Sequence, residues 1–389
     1  MTASVMISGY YFPPQVGGIS NLAAGICAAL GPESVSVLTG VPGRADDPRL
    51  DALKIYRRRR AFEKRSKGHA AWLGAAVVEL IARERPRTIQ YATAGDSDLA
   101  WWLSRLVPIP YVIYAHGMEI LGILDSEWEK PRTALKQAAR VVANSRYTAT
   151  LLERAGVERQ RVEVIHPGCD VTRFSPDAVH EEVRRRLLGA RWRDRVILSV
   201  GNLVERKGHD TVIAALSRIA SRIPDVCYVV AGEGPYRATL ESLARQTGVQ
   251  DRVIFTGRIA ERDLPLYYQT CDVFVMPARV RPAEHDVEGF GMVFLEAGAC
   301  GKPAIGGRSG GIEDAVADRE TGLLVDPADG EQLAAAIEAV LLNPDLARSL
   351  GDRARERVVA RHSWQHVGAR VARMLDDVVA ERRGQVVPE

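Results

Sequence analysis

The residues best suited to chemistry form one stretch, Glu288-Gly-Phe-Gly-Met-Val-Phe-Leu-Glu296. Two carboxylates with seven residues between them bracket a loop that is expected to turn into a helix. Gly289 and Gly291 let the backbone come close to a ligand, and Phe290 through Val293 are expected to form the first helical turn. Such a turn offers N–H groups without helical partners and the positive end of the helix dipole, a combination that suits a phosphate. Glu288, ahead of the helix, can then reach a neutral polyol lying beyond that phosphate. Glu296 falls among Met292, Val293, Phe294, Leu295 and Ala297, so a half-buried carboxylate there needs donors. The two hydroxyls of a ribose supply them. The plainer alternative is a strand–loop–helix with an acidic start and one surface Glu.

Further candidates sit where apolar runs end. After Val196–Val200 comes Gly201-Asn-Leu-Val-Glu-Arg206-Lys207-Gly208, whose adjacent cations suit a diphosphate, arginine as a fork and lysine as a point charge. The chain has only seven lysines against 45 arginines, which makes the choice of Lys207 notable. Gly232 and Glu233 follow the run Cys227–Ala231, and Ile259 ends the turn after Val253–Phe255. Earlier, Gly17-Gly18 leads from the first apolar run toward a helix, and Tyr111–Tyr114 ends in Ala-His116-Gly117. Asp96-Ser-Asp98 has the look of an Asp-x-Asp metal motif. Its place between Thr93-Ala-Gly and Leu-Ala-Trp-Trp-Leu favours a helix cap instead.

These residues need a scaffold of strands that end in loops. Short apolar runs recur at Val5–Ile7, Val35–Leu38, Ile89–Tyr91, Tyr111–Tyr114, Val141–Ala143 and Val162–Ile165, with amphipathic helical patterns between them. The second half repeats the scheme at Val196–Val200, Cys227–Ala231, Val253–Phe255, Val273–Met276, Ala304–Ile305 and Leu323–Val325. Alternation of this kind implies parallel sheets and two α/β domains. With 389 residues there is room for both cores. A net charge of +3 gives no argument for nucleic acid, and no stretch reaches the length of a membrane span. Five scattered cysteines without Cys-x-x-Cys spacing are expected to be reduced and buried, which places the chain in the cytoplasm. The run from Lys54 to Lys67 carries eight cations against Glu63. It reads either as a strand leading into a solvated loop or as a patch for an anionic lipid surface.

Taken together, Asp286-Val-Glu-Gly-Phe-Gly-Met-Val-Phe-Leu-Glu-Ala, Arg206-Lys207-Gly, His116-Gly and Phe12-Pro-Pro with Gly17-Gly-Ile19 resemble the retaining glycosyltransferases of sequence family 4. Within that family the chain looks most like the actinobacterial mannosyltransferases that use GDP-mannose on phosphatidylinositol mannosides. The resemblance implies a GT-B fold, two facing Rossmann-like domains with an interdomain cleft. It implies an acceptor-binding domain over residues 1–175, a nucleotide-sugar-binding domain over 176–365, and a last helix, 366–389, crossing back to the first domain. It also implies retaining transfer of a hexose, mannose favoured, to a hydroxyl acceptor that can be lipid-linked, with no metal or other cofactor. Arg206 and Lys207 would neutralise the leaving diphosphate, Glu288 would contact sugar hydroxyls and Glu296 the ribose, while His116 would lie near the reacting sugar. Gly17, Gly18, Asn202, Gly232, Glu233, Ile259, Gly289, Phe290, Gly291, Met292 and Val293 would complete the donor site. Asn202 departs from the family, which has a second arginine there. A glucosyl or N-acetylhexosaminyl transferase with a soluble acceptor, an epimerase of the same fold and a non-catalytic nucleotide-sugar-binding protein remain as alternatives. Peripheral contact with the inner face of the membrane is the expectation attached to the basic run.

Overall fold

The described residues include thirteen short strands, and most of them, rich in Val, Ile and Ala, are buried on both faces, as expected of parallel sheets covered by helices; Lys54–Arg57 and Val253–Gly257 are only partly buried. The strands belong to a computed structural model that describes residues 3–43, 47–62, 69–178 and 181–385. The chain divides into two compact units, Met1–Gly168 with Trp364–Glu389, and Cys169–Ser363.

The first unit is built on seven parallel strands: Ser4–Ile7 (β1), Val35–Thr39 (β2), Lys54–Arg57 (β3), Thr88–Tyr91 (β4), Tyr111–Ala115 (β5), Arg140–Ala143 (β6) and Val162–Val164 (β7). Their order is β3-β2-β1-β4-β5-β6-β7. Apolar clusters cover both faces. Ile7, Tyr91, Ile113 and Leu135 lie on one side. Met6, Phe12, Ile26, Val112 and the C-terminal residues Val371, Met374 and Leu375 lie on the other. The last helix, Trp364–Gln385, packs along the helix Gly18–Leu30. A Cβ at Gly25 would stand 2.4 Å from the Trp364 ring, so this contact requires glycine.

The second unit has six parallel strands: Arg195–Val200 (β8), Val226–Ala231 (β9), Val253–Gly257 (β10), Val273–Met276 (β11), Ala304–Gly307 (β12) and Gly322–Val325 (β13), ordered β10-β9-β8-β11-β12-β13. It too has an apolar cluster on each face, one around Phe274, Phe294 and Tyr268 and one around Ile197, Leu216 and Ile337. In each sheet the strand order reverses beside the strand that comes first in sequence, between β1 and β4 and between β8 and β11. Ligands of open α/β sheets bind outside the carboxyl ends of the strands at such points.

Three local expectations need correction. The helix expected to start at Phe290 runs over Met292–Ala299, because Gly291 at φ 93 breaks the helical conformation before it. The basic run after β3 is not a loop throughout, since Arg59–Phe62 forms a helical turn that buries Ala61 and Phe62. Asp96 does stand at the N-cap of the helix Ser97–Leu106 but makes no side-chain capping bond; the hydroxyl of Thr93 caps the preceding turn instead. Lys64, Arg65 and Lys67 lie outside the described residues.

Candidate active site

At the β8/β11 reversal the two strands deliver oppositely charged loops. The loop after β8 folds into a short turn, Glu205–Lys207, stopped by Gly208 at φ 74. A Cβ at Gly208 would lie 2.3 Å from the carbonyl oxygen of Pro277, so only glycine lets this loop close against the strand beside it. The loop is knitted to its neighbours by backbone bonds. Leu203 donates to Glu233 at 2.9 Å, Gly232 donates to Gly257 at 2.9 Å, and Arg279 donates to Arg206 at 2.8 Å.

The loop after β11 brings Asp286 and Glu288 onto those cations. Arg206 Nη1 and Lys207 Nζ each donate to the same oxygen, Glu288 Oε2, at 2.6 Å. Arg206 Nε stands 2.5 Å from Asp286 Oδ1. Burial works against the Glu288 carboxylate, but Lys207 and Arg206 outweigh it and hold the group below the usual carboxylate range. Lys207 is shifted downward, chiefly by burial and then by Arg206, with Glu288 opposing. Two cations and two carboxylates, all mostly buried, form a compensated set. An anion that displaced Glu288 would find both cations already positioned.

Beneath this loop, His209 Nδ1 contacts Tyr228 Oη at 3.0 Å, and Tyr228 donates to Ser199 Oγ at 2.8 Å. Burial, and then Lys207, push the imidazole down to about 4, so it is neutral at physiological pH. No sequence signal distinguished this chain of contacts from an ordinary helix start.

The Glu288 backbone is held from the other side by Ser309-Gly310-Gly311, which follows β12. Gly311 N–H donates to Glu288 O at 2.9 Å, and Ser309 Oγ donates to Ala278 O at 2.8 Å. Sequence reasoning passed over this segment, although its Ser-Gly-Gly composition at a strand end was the available clue. Downstream, Gly291 starts the helix that carries Glu296. Its first amides have no helical carbonyl to bond.

Glu296 lies one turn further on, where Oε2 accepts a 2.7 Å bond from the Tyr268 hydroxyl. Burial pushes its carboxyl up to about 7, although the Tyr268 bond acts in the opposite direction. Tyr268 is itself fully buried and was not singled out from the sequence. Phe290 is only 2% exposed and packs in the core, so its backbone alone can meet a ligand. Met292 and Val293 are half-buried beside it, as is Gly289. Asn202 and Glu233 have exposed side chains, while Ile259 leans on the core. All of these residues belong to the second unit.

Gly17, Gly18 and His116 belong to the first unit. Gly17 precedes the helix Gly18–Leu30, with φ 153. His116 follows β5, and its Nε2 meets the carbonyl oxygen of Ala92 at 2.8 Å. A carbonyl only accepts, so Nε2 carries the proton and a neutral ring leaves Nδ1 as an acceptor. Its backbone N–H is bound by Glu119 at 2.6 Å. Among the described residues no group of three or more His, Cys, Asp or Glu is placed to hold a metal ion, and no helix is long and apolar enough to cross a membrane.

The family model "Glycosyl transferases group 1" matches residues 181–357, and "Glycosyltransferase Family 4" matches residues 16–173. The chain is 41% identical over 303 residues to a Mycobacterium tuberculosis protein named GDP-mannose-dependent alpha-(1-6)-phosphatidylinositol monomannoside mannosyltransferase. The match covers 76% of this chain and 77% of that one. The chain is a glycosyltransferase of group 1.

A second relative of this glycosyltransferase comes from Corynebacterium glutamicum and is named a GDP-mannose-dependent monoacylated alpha-(1-6)-phosphatidylinositol monomannoside mannosyltransferase. It is 30% identical over 94% of this chain and 95% of its own. Among solved structures, Anabaena HepE in complex with UDP-glucose superposes with a TM-score of 0.80 at 22% identity, over 97% of this chain and all of that one. At that identity the likeness concerns the fold, and it makes the two parallel sheets of this glycosyltransferase the two domains of a GT-B enzyme.

Proposed function

We propose that this glycosyltransferase moves mannose from GDP-mannose to a hydroxyl of a phosphatidylinositol-mannoside lipid, with retention of anomeric configuration and without a metal. The observation carrying the reading is the set Arg206, Lys207, Glu288, Gly291 and Glu296 at the carboxyl ends of the second sheet. The names of the relatives above support the choice of donor and acceptor.

In this reading the diphosphate takes the place of Glu288 Oε2 against Arg206 and Lys207, with the helix start at Gly291 adding donors. Charge grows on the diphosphate as the glycosidic bond breaks, so these groups stabilise the transition state more than the bound donor. Glu288, once released, is free to accept from sugar hydroxyls. Glu296 accepts from the ribose. No side chain is assigned as a nucleophile. The departing phosphate oxygen takes the proton of the acceptor hydroxyl.

Contact with an anionic membrane belongs to the same proposal. Part of the basic run is already engaged within the chain: Lys54 lies 3.4 Å from Glu84, and Arg58 lies 3.0 Å from Glu79. Arg57 donates to the carbonyls of Val41 and Pro13. Arg60 also stands over the Trp72 ring, so an anionic lipid surface would have to compete with contacts inside the chain for these cations.

The deciding experiment incubates the purified chain with GDP-mannose or UDP-glucose, each with phosphatidylinositol monomannoside or a soluble inositol phosphate. A mannosylated lipid formed from GDP-mannose, with an α linkage by NMR, is the expected product. Turnover confined to UDP-glucose, or to the soluble acceptor, overturns the substrate assignment.

A further inference from the structure

A cavity of about 820 Å³ opens at the opposite edge of the first sheet, below the amino ends of β5, β6 and β7. Its size falls within the roughly 300–1,000 Å³ typical of small-molecule sites. Four arginines line it: Arg105, Arg140, Arg161 and Arg382. Glu381, the one carboxylate in the lining among the described residues, takes Arg140 through both of its oxygens. Glu158 stands 3.5 Å from Arg161. The Arg105 guanidinium carbon stands over the Trp101 ring, 3.5 Å from its centroid, and the group donates to the Trp101 carbonyl. Neither Arg105 nor Arg382 has a carboxylate partner among the described residues.

Arg140 and Arg161 have carboxylates beside them, while Arg105 and Arg382 add unbalanced positive charge to the hollow, which favours an anion there. Guanidinium forks match phosphate oxygens two at a time. One wall is apolar, from Val107, Pro108, Ile109 and Val378. Beside Arg105, Leu106 is 76% exposed and Trp102 54% exposed. The carboxyl ends of the strands, where this fold places its substrates, lie at the other edge.

We propose that this cavity binds a phosphate ester carrying an apolar portion, at a site separate from the donor site. The phosphate meets Arg105 and Arg382, while Arg140 and Arg161 add to the field. The apolar portion lies along Val107–Ile109. Because Val378, Glu381 and Arg382 all come from the last helix, occupancy ties that helix to β5 and β6.

The test titrates inorganic pyrophosphate into the full chain by calorimetry, alongside Arg105→Gln/Arg382→Gln, Lys207→Ala and the three substitutions together. Both arginines are surface residues, so the double variant is expected to fold; a thermal melt like that of the unaltered chain checks this. The expected result is a binding event that persists in Lys207→Ala, where the donor site is weakened, and that falls at least about tenfold when Arg105→Gln and Arg382→Gln are added to Lys207→Ala, given the loss of charge-assisted hydrogen bonds. Sedimentation with phosphatidylinositol-containing or phosphatidylcholine vesicles then identifies the source of the ester. Binding to the former alone, competed by pyrophosphate and lost in the double variant, identifies a lipid headgroup. Pyrophosphate binding without such vesicle binding identifies a soluble ligand. If pyrophosphate binds the triple variant as tightly as Lys207→Ala alone, or if Lys207→Ala abolishes all binding, the site does not exist.

Discussion

Glu296 offers the sharpest numerical test, because its carboxyl titrates near neutrality and the proposed ribose contact needs it ionised. A protonated carboxyl retains acceptor capacity but one of its oxygens becomes a donor, so the ionised form is the better partner for two hydroxyls. With the group at about 7, the ionised fraction rises from about 9% at pH 6 to about 91% at pH 8. If only the ionised form binds well, apparent affinity for GDP scales with that fraction and rises about tenfold, or about 1.4 kcal/mol, over this interval. A carboxyl at its ordinary value near 4.3 would already be ionised at pH 6 and would contribute almost no change. Calorimetric titration of GDP at pH 6, 7 and 8 measures the effect, with Glu296→Gln as the reference. The titration of the GDP phosphate is common to both proteins and cancels in the ratio of their affinities. At pH 8 the variant should bind at least about tenfold more weakly, given about 1.5–3 kcal/mol for a hydrogen bond to a charged group. At pH 6 the gap should nearly close. A ratio that stays constant across pH refutes the account of the carboxyl, and a variant that binds as tightly at pH 8 refutes the ribose role.

Other perturbations read different parts of the site. Lys207→Ala should lower kcat as well as donor affinity, since the diphosphate gains charge in the transition state; steady-state kinetics showing only a raised donor KM would mean uniform binding instead. Asn202→Arg should change turnover by less than about threefold if Arg206 supplies the needed charge, and a gain of tenfold or more would mark the natural site as short of one cation. Gly291→Ala puts a Cβ 2.7 Å from the Phe294 ring at a residue with φ 93, so thermal unfolding should show a loss of about 1–3 kcal/mol, with donor affinity falling in parallel. Chelation with EDTA should leave turnover intact; loss restored by Mg²⁺ or Mn²⁺ would overturn metal-free transfer.

The alternation of apolar runs was enough to locate the strands, because a parallel strand covered on both faces has to be apolar throughout. The exception was β3, which begins with Lys54 and ends with Arg57; it was not among the apolar runs and appeared only as one reading of the basic stretch. The charged residues of the site were legible as types at strand ends, yet their partnerships were not. Nothing in the spacing of Glu288 and Lys207 says that they share a 2.6 Å bond, since they are 81 residues apart and meet only because β8 and β11 are neighbours. Tyr268 escaped notice for a related reason. In sequence it is one more aromatic in a short apolar helix, and only the packing of that helix aims its hydroxyl at Glu296. The reading of Asp96 as a capping side chain went astray because Thr93, three residues earlier, already capped the turn that feeds the helix.

The tie between the helix Gly18–Leu30 and the helix Trp364–Gln385 has a bearing on how the polypeptide matures on the ribosome. Every strand of the first sheet has been translated by Val164, yet the apolar face of Leu22, Ile26 and Leu30 still awaits Val367, Val371 and Met374, some two hundred residues later. The second unit has no such debt, since all its strands and their covering helices fall within Cys169–Ser363. The domain made first is therefore the one completed last. While synthesis continues, its uncovered flank is a natural place for a chaperone to engage, and a chain that stops at Ser363 would carry that flank permanently.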